Sequence, residues 1–282
     1  MNQKKKTEPE LSIQSLEMIR RLFQSKGWPF EGDFGEQYFN DYSQLLSRLN
    51  KEQRDTILAL TEEFLWIPDS QYIRLFLNIF SKFIESLSDT EKTIIIAPLL
   101  PERDFGKAKS SVALLYLIKC HIRPLQKRYP NHHIVVFDYP PNVIASPIIE
   151  TSVLCLVDDF IGSGETALSA IQYYEEAGVS SACISVLSLV AMEQGIAAIE
   201  KNNHKVLAEI IRNKAISDRT DGNRDEYARI MSSIEDHIKV HDEFRFGYAH
   251  SEALVKMART PNNTFPIYWL RGKKNPTPPF PR

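Results

Sequence analysis

The sequence predicts an α/β fold: a mostly parallel sheet with an N-terminal helical extension. In the first third, apolar residues recur at steps of three and four. From about residue 92, short β-branched runs alternate with helical stretches. One of those runs, "SVLCLVDD", ends in two adjacent acids and is followed by "FIGSGETALSAI", a glycine-containing turn into a helix.

The elements follow in order. In "FGEQYFNDYSQLLSRL", Tyr38, Tyr42, Leu45, Leu46 and Leu49 share one helix face. Asn50 caps the next helix with Gln53 at the capping-box position. Pro68 breaks the chain, and Asp69 or Ser70 starts "YIRLFLNIFSKFIESL", whose stripe runs through Phe76, Phe80 and Phe83. No strand is expected before about residue 92. Strands are then expected at "TIIIAPLLP", "HIVVFDY", "SVLCLVDD", "ACISVLSLV" and "KVLAEII". Helices are expected at "SSVALLYLIKCHIRPL", from about Gly164 to Ala177 with Gly178 as a left-handed cap, and at "EQGIAAIEKNN". The expected division is a helical extension over 1–91, packed on the sheet, and an α/β domain over 92–282. That domain closes with a helix at "RDEYARIMSSIEDHIKV", an irregular stretch and a proline-rich extended tail, "KKNPTPPFPR".

Composition narrows the class. The chain has 282 residues, a formal net charge of −2, 43% hydrophobic and 25% charged residues, as soluble globular proteins do. That balance excludes bulk attraction to nucleic acid or membrane and leaves a local patch open. No run approaches the roughly 18 apolar residues that span a bilayer. "MNQKKKTEPELSIQ" has charge without an apolar core, so no secretory signal is read and the cytoplasm is the expected address. Cys120, Cys155 and Cys183 lack metal-like spacing and read as small buried residues of a reducing compartment. His237 and His241 are spaced i, i+4 on the expected helix with no third ligand nearby, which reads as a surface pair.

The chemistry lies between Cys155 and Ile171. In an open parallel sheet, ligands bind beyond the carboxyl ends of the strands. Asp158 and Asp159 sit at such an end. The turn Gly162-Ser163-Gly164-Glu165-Thr166 then offers backbone N–H groups, a helix N-terminus and two hydroxyls, which suits a phosphate. Carboxylates beside a phosphate call for a neutral polar group or a metal, and a sugar diol satisfies both carboxylates. The stretch therefore reads as a pentose-phosphate clamp. A dinucleotide fold has no acid pair between strand and glycines, and a P-loop needs a lysine that is absent. Like charges about 4 Å apart cost about 4 kcal/mol at an effective dielectric near 20. No lysine or arginine between Val153 and Ala191 offsets that cost, so the pair reads as functional.

At these residues the chain resembles the type I phosphoribosyltransferases, whose signature is an apolar strand, two acids and a Ser/Thr-Gly-x-Thr loop. The resemblance implies a sheet of that kind over roughly 92–215, binding of phosphoribosyl pyrophosphate, and Mg²⁺ held at Asp158 and Asp159. It implies that these acids hold the ribose hydroxyls and act in catalysis, while Gly162, Ser163, Gly164, Glu165 and Thr166 hold the 5-phosphate. The family's pyrophosphate loop corresponds to "APLLPERDFGKAKSS", where Arg103, Lys107 and Lys109 can meet the pyrophosphate and Gly106 can permit close approach. That segment lacks the compact glycine pair. A second departure is the short "PPNVIASPIIET" in place of a long loop that closes over the reaction.

"GYAHSEALV", "TPNNTFPIYW" and "FLWIPDSQYIRLF" further resemble phosphoribosyltransferase-like proteins of bacterial conflict and antiphage loci, some encoded beside reverse transcriptases in retron-type systems. The resemblance implies a defence effector or component, whose partner is a reverse transcriptase–nucleic acid complex or another defence protein. A non-catalytic nucleotide-sensing or scaffold module and an ordinary base-salvage enzyme are the alternatives. Asn262, Asn263, Tyr268 and Trp269 read either as a polar, aromatic wall for a base or as a turn with core aromatics.

Overall fold

The protein was analysed as a computed structural model that describes residues 11–87 and 93–282. The chain forms two compact units. One draws on the chain up to Trp66 and on Lys214–Arg282, the other on Ile67–Asn213. The expected boundary at 91/92 and the first ten residues lie outside the described residues.

The first unit begins with helices α1 (Ile13–Lys26), α2 (Gly32–Ser47) and α3 (Lys51–Glu62) and a short strand β1 (Leu65–Trp66), which was not expected. Ser12 caps α1 by accepting from Ser15 N–H, and Gly27 ends it at φ 64°. The capping box at α3 has both its bonds, Gln53 N–H to Asn50 and Asn50 N–H to Gln53.

The second unit opens at Pro68 and a single 3₁₀ turn, Asp69–Gln71, which leads into α4 (Tyr72–Ser86). There follow β2 (Thr93–Pro98), α5 (Ser110–Cys120), α6 (Ile122–Arg128), β3 (His133–Val136), α7 (Pro140–Ile144), β4 (Val153–Ile161), α8 (Glu165–Glu176), β5 (Ile184–Met192), α9 (Glu193–Lys201) and β6 (Lys205–Arg212). The helix expected across 110–125 is two helices, parted at His121, where φ is −110° and ψ 11°. The strands make one five-stranded sheet in the order β3-β2-β4-β5-β6, and every pairing is parallel.

Both faces of that sheet are buried, as its unbroken apolar strands require. Ile95 and Ala97 of β2, with Leu154 and Leu156 of β4, face a core completed by α7, α8 and α9 through Val143, Ala167, Ala170, Ile171, Tyr174, Ile196 and Ile199. Ile94 and Ile96 are equally buried but outside that cluster. Helices α4, against β5 and β6, and α5, against β2 and β4, cover the other side. The stripe Phe76, Phe80 and Phe83 is buried there, so the last helix of the expected extension is a layer of the sheet unit.

The chain then returns to the first unit with α10 (Arg224–Ile238) and β7 (Val255–Lys256), which pairs in parallel with β1. Helices α1–α3 bury Phe23, Tyr42, Leu46, Ile57 and Leu60 in one cluster with Ile230, Met231, Ile234, Tyr268 and Phe280. These helices therefore pack with the C-terminal segment in a core of their own. The proline-rich tail is docked rather than extended. Phe280 is fully buried, its N–H donates to Tyr268 O at 2.8 Å, and its carbonyl accepts from Thr260 Oγ1 at 2.7 Å. Of the cysteines, Cys155 alone is buried; Cys120 is exposed and Cys183 is intermediate. No helix among the described residues is long and apolar enough to cross a membrane.

Between α10 and β7 the backbone is strained. Phe246, Ala249, His250 and Glu252 have φ from 49° to 55°, with Gly247 at 78° among them. Buried acids hold this path. Glu235 on α10 accepts Phe246 N–H with both oxygens, at 2.9 and 3.1 Å. Glu252 accepts Ile216 and Ser217 N–H at 2.8 and 2.7 Å and the Ser217 hydroxyl. Gly247 is obligatory, because a Cβ there would lie 1.9 Å from Asn263 O.

Burial raises the Glu235 carboxyl to about 7 from an ordinary 4.5. A carboxyl raised in the folded state stabilises fully below its unfolded value, and the contribution is lost as pH rises through the folded one. Stability should therefore fall between pH 4.5 and 7 by up to about 3 kcal/mol from this group. Glu235→Gln, which keeps an acceptor for Phe246 N–H, should flatten that part of the Tm–pH curve and raise Tm above pH 7.

Candidate functional site

The strand order reverses between β2 and β4: the chain leaves β2 for β3 on one side and later enters β4 on the other. Loops leaving the carboxyl ends of these two strands diverge and open a crevice. Pro98, the last residue of β2, pairs with Val157. Asp158 and Asp159 come next on β4, where β2 has ended and β5 still pairs, from Asp158↔Ser188 to Ile161↔Ala191. The acids thus stand at the mouth of the crevice, two residues inside the strand end.

Both carboxyls are nearly sealed, at 8% and 3% exposure. Asp158 Oδ1 accepts from Ser110 Oγ at 3.0 Å and from Asp159 N–H at 2.8 Å. Asp159 Oδ2 accepts from Tyr72 Oη at 2.7 Å. Ser110 opens α5 and Tyr72 opens α4, so each acid also meets the positive end of a helix. The expectation was that nothing local offsets the repulsion, and the partners seen are not local. The offset comes from helices distant in sequence, as hydroxyls rather than cations. Burial and then the neighbouring Asp159 charge still push the Asp158 carboxyl well above the usual carboxylate range. One oxygen of each acid accepts from a hydroxyl, the two carboxyls also lie within hydrogen-bonding reach of each other, and no cation among the described residues pairs with either.

The turn after β4 is built for close approach. Gly164 has φ 86° and precedes α8, and Glu165 N–H reaches Ser163 Oγ at 3.4 Å. Thr166 and Glu165 are exposed, Ser163 half-buried, and Gly162 and Gly164 buried. The first N–H groups of α8 have no partners within their own helix and point outward from its start. Behind the turn lies Gly195 of α9, a residue the sequence reading passed over. A Cβ on Gly195 would fall 2.4 Å from Gly162 O and 2.9 Å from the Ile161 side chain. A Cβ on Gly164 would fall 2.9 Å from Gly195 O. An isolated glycine within a helical pattern was the available signal.

Across the crevice, the loop after β2 does not hold free cations. Lys107 and Lys109 both bind Asp104, at 2.9 and 2.8 Å. Burial opposes ionisation of Asp104, yet the hydrogen bonds and charges of Lys109 and Lys107 together hold its carboxyl below the usual value. Arg103 donates to Ser169 Oγ of α8 at 2.9 Å, which ties this loop to the helix that follows the glycine turn. Gly106 has φ 76° and open space around it. Between β3 and β4, "PPNVIASPIIET" forms α7 and a 3₁₀ turn at Pro147–Thr151, with Val143 in the core.

The remaining candidates belong to the first unit. Tyr268 and Trp269 are core residues of the first unit, where Tyr268 Oη lies 2.9 Å from Thr61 Oγ1 and Trp269 Nε1 donates to Thr264 O at 2.6 Å. Asn263 donates to Ser251 Oγ at 2.8 Å and Tyr248 O at 3.2 Å. Of the two readings, the turn with core aromatics holds for these three residues. His237 lies in α10 but His241 lies beyond its end, after Lys239 at φ 58°, so their helical spacing is lost. No cluster of three or more His, Cys, Asp or Glu side chains suited to a metal occurs among the described residues.

The sequence model of the PRTase-CE family matches residues 43–282. The chain belongs to the PRTase-CE family. It is phosphoribosyltransferase-like, and its family match spans the whole sheet unit. No curated protein matches the chain significantly. Among solved structures, APRTase from Giardia lamblia complexed with 9-deazaadenine is similar over 51% of this chain and 80% of that one, with 13% identity and a TM-score of 0.31.

The glycine contact yields a prediction. Gly195→Ala should lower Tm, equivalent to about 1–3 kcal/mol, despite alanine's higher helix propensity, because the β4–α8 turn must shift to admit a methyl group. Thermal melts of the variant and wild type measure it; an unchanged Tm would show that the turn yields freely.

Proposed function

We propose that the crevice beside β4 binds phosphoribosyl pyrophosphate or a related ribose phosphate together with Mg²⁺. The observation that carries this reading is an adjacent acid pair held by hydroxyls and by no cation among the described residues, in the same crevice as the N-terminal turn of α8. Two carboxylate oxygens suit the two hydroxyls of a ribose, and the turn Gly162–Thr166 suits its 5-phosphate. The donor set also fits Mg²⁺, which is commonly held by one or two carboxylates and completed by water and ligand phosphates. Asp158 and Asp159 would hold it, and the ion supplies charge neutralisation for pyrophosphate oxygens.

The reaction such a site supports is displacement at the anomeric carbon. The C1–O bond breaks, pyrophosphate leaves with the electron pair, and nitrogen or water bonds to C1 and gives up a proton. Asp158 and Asp159 stabilise the positive ring, and either can accept that proton. For the pyrophosphate, Lys107 and Lys109 must trade Asp104 for the incoming anion, while Arg103 keeps the loop against α8.

A second reading, a non-catalytic sensor of a nucleotide or phosphoribosyl pyrophosphate, is favoured by the segment between β3 and β4, which is wound into α7 and a 3₁₀ turn where a closing loop would be needed. The C-terminal and N-terminal stretches that resemble antiphage proteins support a role as effector or component of a bacterial defence system, with a reverse transcriptase–nucleic acid complex or another defence protein as partner.

Calorimetric titration of ribose 5-phosphate should show affinity falling at least tenfold in Gly164→Val and several-fold in the milder Thr166→Ala. Equal affinity in wild type and both variants would sink the phosphate assignment. Pyrophosphate release from phosphoribosyl pyrophosphate with Mg²⁺ then separates the readings. Release that requires a base marks salvage, release without one marks a hydrolytic or nucleic-acid-directed effector, and binding without release marks the sensor.

A further inference from the structure

We propose that Tyr72 is a positioning residue of this site, which holds Asp159 so that its other oxygen, Oδ1, meets the ligand. The inference rests on the ribose-phosphate reading above and adds to it a helix that precedes the sheet.

Tyr72 is the first residue of α4 and is 2% exposed. The phenol hydroxyl donates to Asp159 Oδ2 at 2.7 Å, a short hydrogen bond. The torsion that turns a carboxylate about its own bond has a broad, shallow minimum. A single donor on one oxygen selects one orientation, provided that the donor itself is fixed. Tyr72 is fixed because Leu75, Phe76 and Ile79, on the next turns of α4, are buried with it. Ser110 does the corresponding work on Asp158, but it is an exposed residue at the crevice and can turn toward a ligand. Tyr72 is sealed from behind.

Among the described residues, Tyr72 is the side chain seen to donate to Asp159. The strands flanking β4, Thr93–Pro98 and Ile184–Met192, carry no charged side chain. The nearby charges are committed elsewhere: Lys82 of α4 to Glu209, Arg74 to Gln71, Lys119 of α5 to Asp138, and Lys107 and Lys109 to Asp104. Loss of the Tyr72 hydroxyl therefore leaves Asp159 in place but free to turn. The consequence falls on recognition of the sugar and spares recognition of the phosphate.

The test compares ribose 5-phosphate with inorganic phosphate by calorimetric titration of the full chain. Tyr72→Phe, which keeps the ring and its packing, should weaken ribose 5-phosphate binding about tenfold and leave inorganic phosphate unchanged. Phe76→Leu, on the same helix but at a side chain that cannot hydrogen-bond to Asp159, should lower Tm and leave the ratio of the two affinities as in wild type. A sugar preference that survives Tyr72→Phe overturns the role of Tyr72 and leaves the ribose reading standing. Equal loss of preference in Tyr72→Phe and Phe76→Leu also overturns it, because it would show only that α4 must pack. A wild-type protein with no preference for the sugar phosphate overturns the ribose reading and the role of Tyr72 with it.

Discussion

Two carboxyl groups on consecutive residues of a buried strand need donors, and a parallel strand has none to spare. Apart from Asp159 N–H, which turns to Asp158, its N–H groups serve the neighbouring strands, and its flanking strands here carry no charged side chain. The donors must therefore come from the helices laid across the sheet, and those helices must begin where the acids end up. Helices α4 and α5 do so, each contributing a hydroxyl from its first residue. The start of α5 and the start of α4 after Pro68 are both tied to that requirement, and a one-turn shift of α4 would take the Tyr72 hydroxyl from Asp159.

The crevice itself follows from chain order. Because the sheet reverses direction of growth between β2 and β4, the acid pair, the glycine turn and the lysine-bearing loop leave adjacent strands and diverge. The glycine turn then sits on α9 so closely that Gly164 and Gly195 exclude each other's side chains. That contact makes the turn a fixed feature, whereas the opposite loop is held by ion pairs that an incoming anion can exchange.

Much of this was legible in the sequence. The alternation of β-branched runs with helical spacing located all five strands of the sheet, and the capping box at Asn50 and the break at Pro68 appeared where the local chemistry placed them. Asp158, Asp159 and the turn after them could be read because strand, acids and glycines are contiguous. The contacts of Tyr72, Ser110 and Gly195 could not, since each is made across a long separation in the chain and leaves no spacing to detect. Phe280 was misjudged for a related reason: a proline-rich tail has no periodicity, so nothing in it announced a buried aromatic ring. The first three helices shared the apolar habit expected of an extension on the sheet, and that habit does not say which core they join.

That core, assembled from both ends of the chain, has a consequence for biosynthesis. The segment Ile67–Asn213, with every strand of its sheet, is made before α10 and the residues around Phe280. Helices α1–α3 are made before the partners that cover their apolar faces, since those partners come from α10 and the residues around Phe280. A truncated product would thus present a finished sheet unit beside exposed Phe23, Tyr42 and Leu46, the kind of surface that chaperones bind and proteases clear.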